Sequence, residues 1–217
     1  MYVSSSVFAK LKYIGGGAFY GCSSLALENL SMPNLESMSN NVFRLSQLKS
    51  VSNLGKITTI PDQAFNQARN LQSIVIPNTV TSIGSSAFDQ CNSLVSIVIP
   101  DSVGSIGAST FYNCYSMTTV TLSSNITQIP YRLFFACSKL PSLTIPSGVT
   151  YIGEQAFLGC SRMSSITILA PTPPTLGNVN AFNNNNCTIY VPAGSVDAYK
   201  NAANWSSLAS RIQAITN

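Results

Sequence analysis

The sequence is poor in charge and contains no histidine. Only 8% of its 217 residues are Asp, Glu, Lys or Arg, whereas an average globular protein has about 25%. The absence of histidine excludes Ser-His-Asp and Cys-His catalysis and histidine-ligated metal sites in this chain.

Long apolar runs are also missing. A membrane-spanning helix needs roughly 18 apolar residues, and the longest runs here are pieces such as Ile74-Val75-Ile76. We therefore expect no membrane-spanning segment. The chain should nevertheless fold, because 45% hydrophobic residues and a mean hydropathy of +0.23 are far from the composition of disordered chains.

Phenylalanine marks an internal repeat of about 23 residues. Eight Phe recur at spacings of 24, 22, 23, 23, 23, 23 and 25 residues: Phe19, Phe43, Phe65, Phe88, Phe111, Phe134, Phe157 and Phe182. Four central units agree at nearly every apolar position. A fixed period of this length is typical of repeat architectures.

Three of the four central units begin with an apolar-x-apolar-Pro segment, such as Ile74-Val75-Ile76-Pro77, and the fourth begins with Val120-Thr121-Leu122. This alternation predicts a short half-buried strand that ends at the proline. The following Ile83-Gly84-x-x-Ala87-Phe88-x-x-Cys91-x-x-Leu94 segment has apolar spacings of three and four, which predict helical or 3₁₀ turns. One such unit cannot bury its apolar side alone, so the units must stack into an α/β repeat solenoid.

The repeat resembles the BspA-type leucine-rich repeats of surface proteins from host-associated anaerobic bacteria and some protists. The match is carried by Leu71-x-x-Ile74-x-Ile76-Pro77-x-x-Val80-x-x-Ile83-Gly84-x-x-Ala87-Phe88-x-x-Cys91 and covers about residues 10 to 190. It implies a right-handed leucine-rich-repeat superhelix with a short-stranded parallel sheet on one face. We expect the N-terminal coils to be irregular, because segments 26–30 and 46–51 gain or lose residues.

The two ends of the chain lead to different expectations. We predict a solenoid of about eight coils over 1–191 and a cap over 192–217. In the cap, Ser195 would begin a helix, and a second helix over 206–215 would place Leu208 and Ile212 on the last coil. Residues 1–9 lack the features of an export signal, so we expect truncation at the N-terminus and an export signal upstream.

The remaining chemistry points away from catalysis. The seven carboxylates fall on different repeat positions or distant coils, so a pair at glycosidase spacing, roughly 5 to 9.5 Å, is not expected. Gly15-Gly16-Gly17 is not followed by Lys-Ser or Lys-Thr, as a phosphate-binding loop requires. The eleven basic residues are scattered, which argues against nucleic acid as a partner. We predict no enzyme, no metal and no cofactor.

Five of the six cysteines lie three residues after the Phe. Cys22 belongs to the first coil, and four belong to the central coils: Cys91, Cys114, Cys137 and Cys160. We predict buried reduced thiols at this position, because the parallel Cβ vectors of stacked coils disfavour a disulfide torsion.

The outward side of the strands is the main candidate binding surface. Alternation places a small, uncharged set outward: Ser73, Val75, Ser96, Val98, Thr119, Thr121, Ser142, Thr144, Ser165 and Thr167. A second candidate is the stripe Tyr112, Phe135 and Leu158 on the convex wall, for which mutual packing is the alternative explanation.

Two functions remain open at this point. The first is an extracellular or cell-surface adhesion module, a monomer that binds a protein partner. The family resemblance implies extracellular matrix, host-cell or other microbial surface proteins as such partners. The second is a structural spacer that holds another domain away from the cell envelope.

Overall fold

The computed structural model describes residues 5–22 and 28–216. These residues form β1 (Tyr13–Ile14), β2 (Leu30–Ser31), β3 (Ser37–Met38), β4 (Ser50–Asn53), β5 (Thr59–Ile60), β6 (Ser73–Ile74), β7 (Ser82–Ile83), β8 (Ser96–Val98), β9 (Ser105–Ile106), β10 (Thr119–Thr121), β11 (Gln128–Ile129), β12 (Ser142–Ile145), β13 (Tyr151–Ile152), β14 (Ser165–Ile168), β15 (Thr175–Leu176), β16 (Thr188–Val191) and β17 (Ile212–Ala214). Two α-helices, α1 (Ser5–Phe8) and α2 (Val196–Asn201), and three 3₁₀ helices (Val179–Phe182, Ala193–Ser195 and Ser206–Arg211) complete the secondary structure.

The chain winds into a parallel β-solenoid of about 9 turns, which confirms the predicted fold class. Strands one repeat apart pair in parallel; Ser142, for example, lies opposite Ser165. The predicted Ile-x-Ile-Pro strands form wall A, made of β2, β4, β6, β8, β10, β12, β14, β16 and β17.

A second strand wall was not predicted from the sequence. Eight two-residue strands precede the turns around the core Phe residues, and in six of them the second residue is Ile, as in Ser82-Ile83. These strands make wall B: β1, β3, β5, β7, β9, β11, β13 and β15. Two residues are too few to express the period-two alternation by which a strand is recognised.

The segments around the core Phe residues from Phe19 to Phe157 form consecutive turns, where the sequence predicted helical or 3₁₀ turns. At Phe182 the predicted 3₁₀ conformation is present, in the helix Val179–Phe182. Two residues in each central coil, such as Gln63 and Gln67, have positive φ of 56° and 57°. Alternate backbone N–H groups therefore point towards the neighbouring coil. Those of Gln63, Phe65 and Gln67 donate to backbone carbonyls of the next coil at 2.7–3.0 Å. We call these stacked turns the turn wall. Their backbone N–H groups bond to the next coil, whereas in a helix they would bond within the same segment.

The core is a column of phenylalanine rings inside the turn wall. From Phe19 to Phe182, neighbouring rings stack with centroids 5.3–6.0 Å apart. Such pairs contribute about 0.5–1.5 kcal/mol each beyond their burial. Each coil is thus stabilised mainly by its two neighbours, as in other solenoids.

The C-terminal segment packs on the last coil but differs from the prediction. Ser195 precedes α2 as expected, although its hydroxyl donates to the Pro171 carbonyl instead of capping the helix. Leu208 and Ile212 are buried as predicted. The predicted helix over 206–215 is wrong beyond Arg211, because residues 212–214 extend wall A as β17, paired with β16.

The early coils are less regular, as predicted. The pairing of β2 with β4 shifts register between Leu30 and Ser31, while residues 26 and 27 of the predicted irregular segment lie outside the described residues. In the part of the chain that the structure describes, no helix is long and apolar enough to cross a membrane.

Candidate functional site

The predicted strand face lies on the outer side of wall A. Eight of its ten residues are exposed and two, Ser165 and Thr167, are half-buried. Val98 has the largest exposed fraction among the apolar members, 63%. No Lys, Arg, Asp or Glu belongs to this set, so the face presents methyl groups and hydroxyls on a backbone held by strand pairing.

In the same strands, the residues that alternate with the strand face point inward, and all of them are buried with two exceptions. Val120 and Leu122 are only half-buried. Their exposure follows from the strand pairing, because β10 pairs with β8 but not with β12 among the described strands. Leu122 and Ser123 also replace the Ile-Pro pair of the neighbouring coils, and the buried Ser123 hydroxyl donates to the Val103 carbonyl at 2.6 Å.

A cleft of about 630 Å³ opens on wall A where β10 and β12 separate. Its apolar lining includes Val120, Leu122, Leu143 and Leu169, and Leu169 is 41% exposed. Thr121 and Thr144 of the strand face stand at its edge. We call this opening the wall A cleft; sequence reasoning missed it, and the missing proline after Leu122 is the signal that could have indicated it.

A smaller opening of about 310 Å³ lies between β6 and β8, which also do not pair in the described structure. Val75 and Val98 of the strand face line it. Wall A is therefore divided into three blocks, and both openings expose apolar atoms on an otherwise polar face.

The second predicted patch lies on the turn wall and is half-buried. The rings of Tyr112 and Phe135 stack with centroids 4.6 Å apart. Arg132 adds a cation–π contact to Phe135 at 5.4 Å and to Tyr131 at 4.7 Å. These contacts support mutual packing, the alternative considered for this stripe. Leu158, the third residue of the stripe, is also half-buried. The sequence interpretation missed Tyr131 and Arg132, which stand at the positions of Ala108 and Ser109 in the preceding coil.

The four cysteines of the central coils, Cys91, Cys114, Cys137 and Cys160, lie in the core, as predicted. Each thiol donates to a Phe carbonyl of the preceding coil at 3.1–3.2 Å. Burial raises the pKa of all four thiols, that of Cys160 to about 12. A buried protonated thiol is a poor nucleophile and metal ligand, and no metal-binding cluster of Cys, Asp and Glu occurs in the described residues.

Several carboxylates make contacts between adjacent coils. The Asp62 and Asp101 carboxylates accept the backbone N–H groups of Ser85 and Ser124, both at 2.7 Å, and the latter bond lowers the pKa of Asp101. A hydrogen bond from Tyr13 and the adjacent Lys12 lower the pKa of Glu36. These groups tie coils together, and nothing in their geometry pairs two carboxylates for acid–base chemistry.

Comparisons with known proteins agree with this geometry. The family model described as "BspA type Leucine rich repeat region" matches six copies in residues 3–71 and 58–190. The solved structure of the leucine-rich repeat protein TpLRR from T. pallidum is 28% identical, covers 70% of this chain and 72% of that chain, and has a TM-score of 0.63.

The pneumococcal vaccine antigen PcpA is 16% identical, covers 96% of this chain and 66% of that chain, and has a TM-score of 0.58. At this identity the similarity concerns the fold alone. The comparison with curated proteins gives no match.

Proposed function

Because the chain belongs to the BspA-type leucine-rich repeat family, we propose that it is a non-catalytic adhesion module that binds a protein partner at the cell surface. The proposal extends a general property of the family, since leucine-rich repeats are protein-interaction scaffolds. Extracellular matrix, host-cell and other microbial surface proteins are the proposed partners, and the proposed location is extracellular or on the cell surface.

The strand face with its cleft is the observation that carries the proposal. Ser and Thr hydroxyls surround an apolar cleft in which Leu122 and Leu169 are accessible. The cleft can receive an apolar side chain of a partner, and the surrounding hydroxyls can hydrogen-bond to polar groups of the same partner. An apolar centre with a polar rim is the usual composition of a protein interface. The face has no Trp, Tyr or Arg to act as an anchor, so we expect weak, micromolar or avidity-dependent binding.

The direct test introduces charge on this face. Val98, Thr121 and Thr144 are exposed, so Val98→Glu, Thr121→Glu and Thr144→Glu together should leave the melting temperature nearly unchanged. We expect attachment to immobilised matrix proteins and to host cells to fall at least tenfold, because the Glu carboxylates must lose water at the interface.

A matched control adds the same three charges to wall B. Ser105, Gln128 and Thr175 are exposed there, and their triple substitution by Glu should leave attachment unchanged. Unchanged attachment by the folded wall A variant would reject the strand face and favour the Tyr112, Phe135 and Leu158 stripe. Failure of the wild-type chain to attach to any of these surfaces would favour the spacer function.

A further inference from the structure

A separate cavity lies at the corner between wall B and the turn wall in the first coils. It has a volume of about 830 Å³, and its lining includes Gly16, Tyr20, Ser39, Asn40, Asn41 and Arg44. This size falls in the range of small-molecule sites, roughly 300–1,000 Å³. We call it the Tyr–Arg cavity; neither the strand face nor the stripe on the turn wall includes any of its residues.

Arg44 reaches this cavity without an acid to pair with. Arg44 is half-buried, and within the described ranges 5–22 and 28–216 it forms no ion pair. A guanidinium presents donors in a rigid fork that matches an oxyanion. A half-buried guanidinium without an acidic partner can therefore pair with an anion from outside the chain.

The two carboxylates near this corner each make a hydrogen bond to another group, although the buried Oδ1 of Asp89 has no partner within the described residues. Asp62 accepts the Ser85 N–H at 2.7 Å, and Asp89 accepts from the Asn66 side-chain amide at 3.0 Å. Asp89 is close enough to Arg44 to feel its charge but not to form an ion pair with it. The charge of Arg44 is thus only partly compensated.

The other groups of the cavity suit a saccharide. Tyr20 is 49% exposed, and Arg44 lies over its ring at 5.5 Å. Ser39 and Asn40, which also line the cavity, are exposed. An aromatic ring, a side-chain amide and a hydroxyl complement the apolar face and the hydroxyl groups of a sugar ring.

The glycines of the first coil keep the approach open. Gly16 and Gly17 occupy the positions of Ser85 and Ser86 in a later coil. Gly17 has φ of 64°, a conformation that glycine adopts without strain. Because neither residue carries a side chain, a ring can approach the backbone at this corner.

We propose that the Tyr–Arg cavity binds an acidic saccharide, with Arg44 pairing the anionic group and Tyr20 contacting the sugar ring. The assignment is independent of the strand face, so either proposal can fail alone. Because one cation is present, the ligand carries one negative group at this site, either a carboxylate or a sulfate.

The test compares three sugars built on one scaffold. Binding of 3′-sialyllactose, lactose 3′-sulfate and lactose is measured by ligand-observed NMR titration of the full chain. We expect at least one acidic sugar to bind at least tenfold more tightly than lactose, and its affinity to fall as NaCl rises from 50 to 500 mM. The two acidic sugars distinguish carboxylate from sulfate recognition.

Variants of the cavity decide whether the binding occurs there. Arg44→Gln should weaken binding of the acidic sugar at least tenfold, and Arg44→Lys should weaken it less. Tyr20→Ser should weaken binding about threefold or more. The matched control Arg162→Gln removes an exposed arginine far along the chain and should change nothing.

Two results would overturn the proposal: no sugar binding at 10 mM, or equal binding of lactose and the acidic sugars. Unchanged binding by a folded Arg44→Gln variant would also overturn it. If Arg44→Gln does not fold, Arg44→Lys and Tyr20→Ser carry the test, and unchanged affinity in both rejects the cavity.

Discussion

At the scale of single residues, the thiol column connects coils through hydrogen bonds that no aliphatic side chain could make. Cys137, for example, is fully buried and donates to the Phe111 carbonyl at 3.2 Å. A cysteine fits this position because it is small, largely apolar and still a weak donor. Ser46 occupies the same position in an earlier coil, where its buried hydroxyl has no partner among the described residues.

Burial should protect the thiols from reagents in the native protein. We expect Cys91, Cys114, Cys137 and Cys160 to be unreactive towards a thiol reagent in the folded state at pH 8. After denaturation without reductant, all six cysteines should react, since the structure has them as free thiols. Four or fewer reactive thiols would contradict the prediction.

The raised thiol pKa values predict a loss of stability at alkaline pH. Above about pH 9 a cysteine of the unfolded chain loses its proton, whereas burial keeps Cys137 protonated in the folded chain by raising its pKa. The unfolded state then binds fewer protons, so the free energy of unfolding falls as pH rises, by about 1.4 kcal/mol per pH unit for each such thiol.

Urea unfolding of the wild type and of Cys137→Ala between pH 8 and 10.5 measures this dependence. The variant should be less stable at pH 8 but lose stability less steeply, by the contribution of one thiol. Tyrosines titrate equally in both proteins, so identical slopes would show that Cys137 ionises equally in the folded and unfolded chains.

At the scale of the element, the corner after β13 requires close contact between coils. A Cβ atom on Gly153 would lie 2.5 Å from the backbone nitrogen of Tyr131. Gly153→Ala should therefore reduce the free energy of unfolding by about 2 kcal/mol or more, because two backbones must separate.

Gly104→Ala is the matched control, since a Cβ atom there meets nothing within 4 Å. It should change the free energy of unfolding by less than about 0.5 kcal/mol. Both variants are compared by urea denaturation; equal effects would contradict the steric explanation.

The elements differ in how far the sequence could predict them. The Ile-x-Ile-Pro strands were predictable because their apolar residues alternate with a period of two. The Phe column was predictable because Phe recurs about every 23 residues. Wall B was not, since a two-residue strand such as β7 has no period. The wall A cleft and the Tyr–Arg cavity were not predictable either, because they depend on how neighbouring coils pair and on residues from several coils.

At the scale of the whole molecule, the C-terminal segment closes the core. Trp205 is buried, lies against Phe182 with centroids 5.9 Å apart, and donates its ring N–H to the Pro174 carbonyl at 2.8 Å. It ends the stack of rings that begins in the first coils. The division into a solenoid over 1–191 and a cap over 192–217 stays a prediction, and β17 extends wall A across that boundary.

Truncating this side chain should loosen the solenoid from its C-terminal end. Trp205→Ala should cost about 3–5 kcal/mol of unfolding free energy, with proteolytic cleavage beginning after residue 191. Trp205→Phe keeps most of the packing and loses only the hydrogen bond, so its cost should be about 1–2 kcal/mol. Cleavage that begins within the central coils of Trp205→Ala would contradict this role.

The interruptions of the two strand walls have a mechanical consequence. Among the described strands, wall A opens between β6 and β8 and between β10 and β12, whereas wall B opens between β3 and β5 and between β9 and β11. No junction between successive coils opens on both walls, and the turn wall stays hydrogen-bonded along the central coils. The interruptions in strand pairing therefore alternate between the two walls, while the turn wall continues along the central coils. Under tension or shear, we therefore expect the solenoid to deform first at these interruptions.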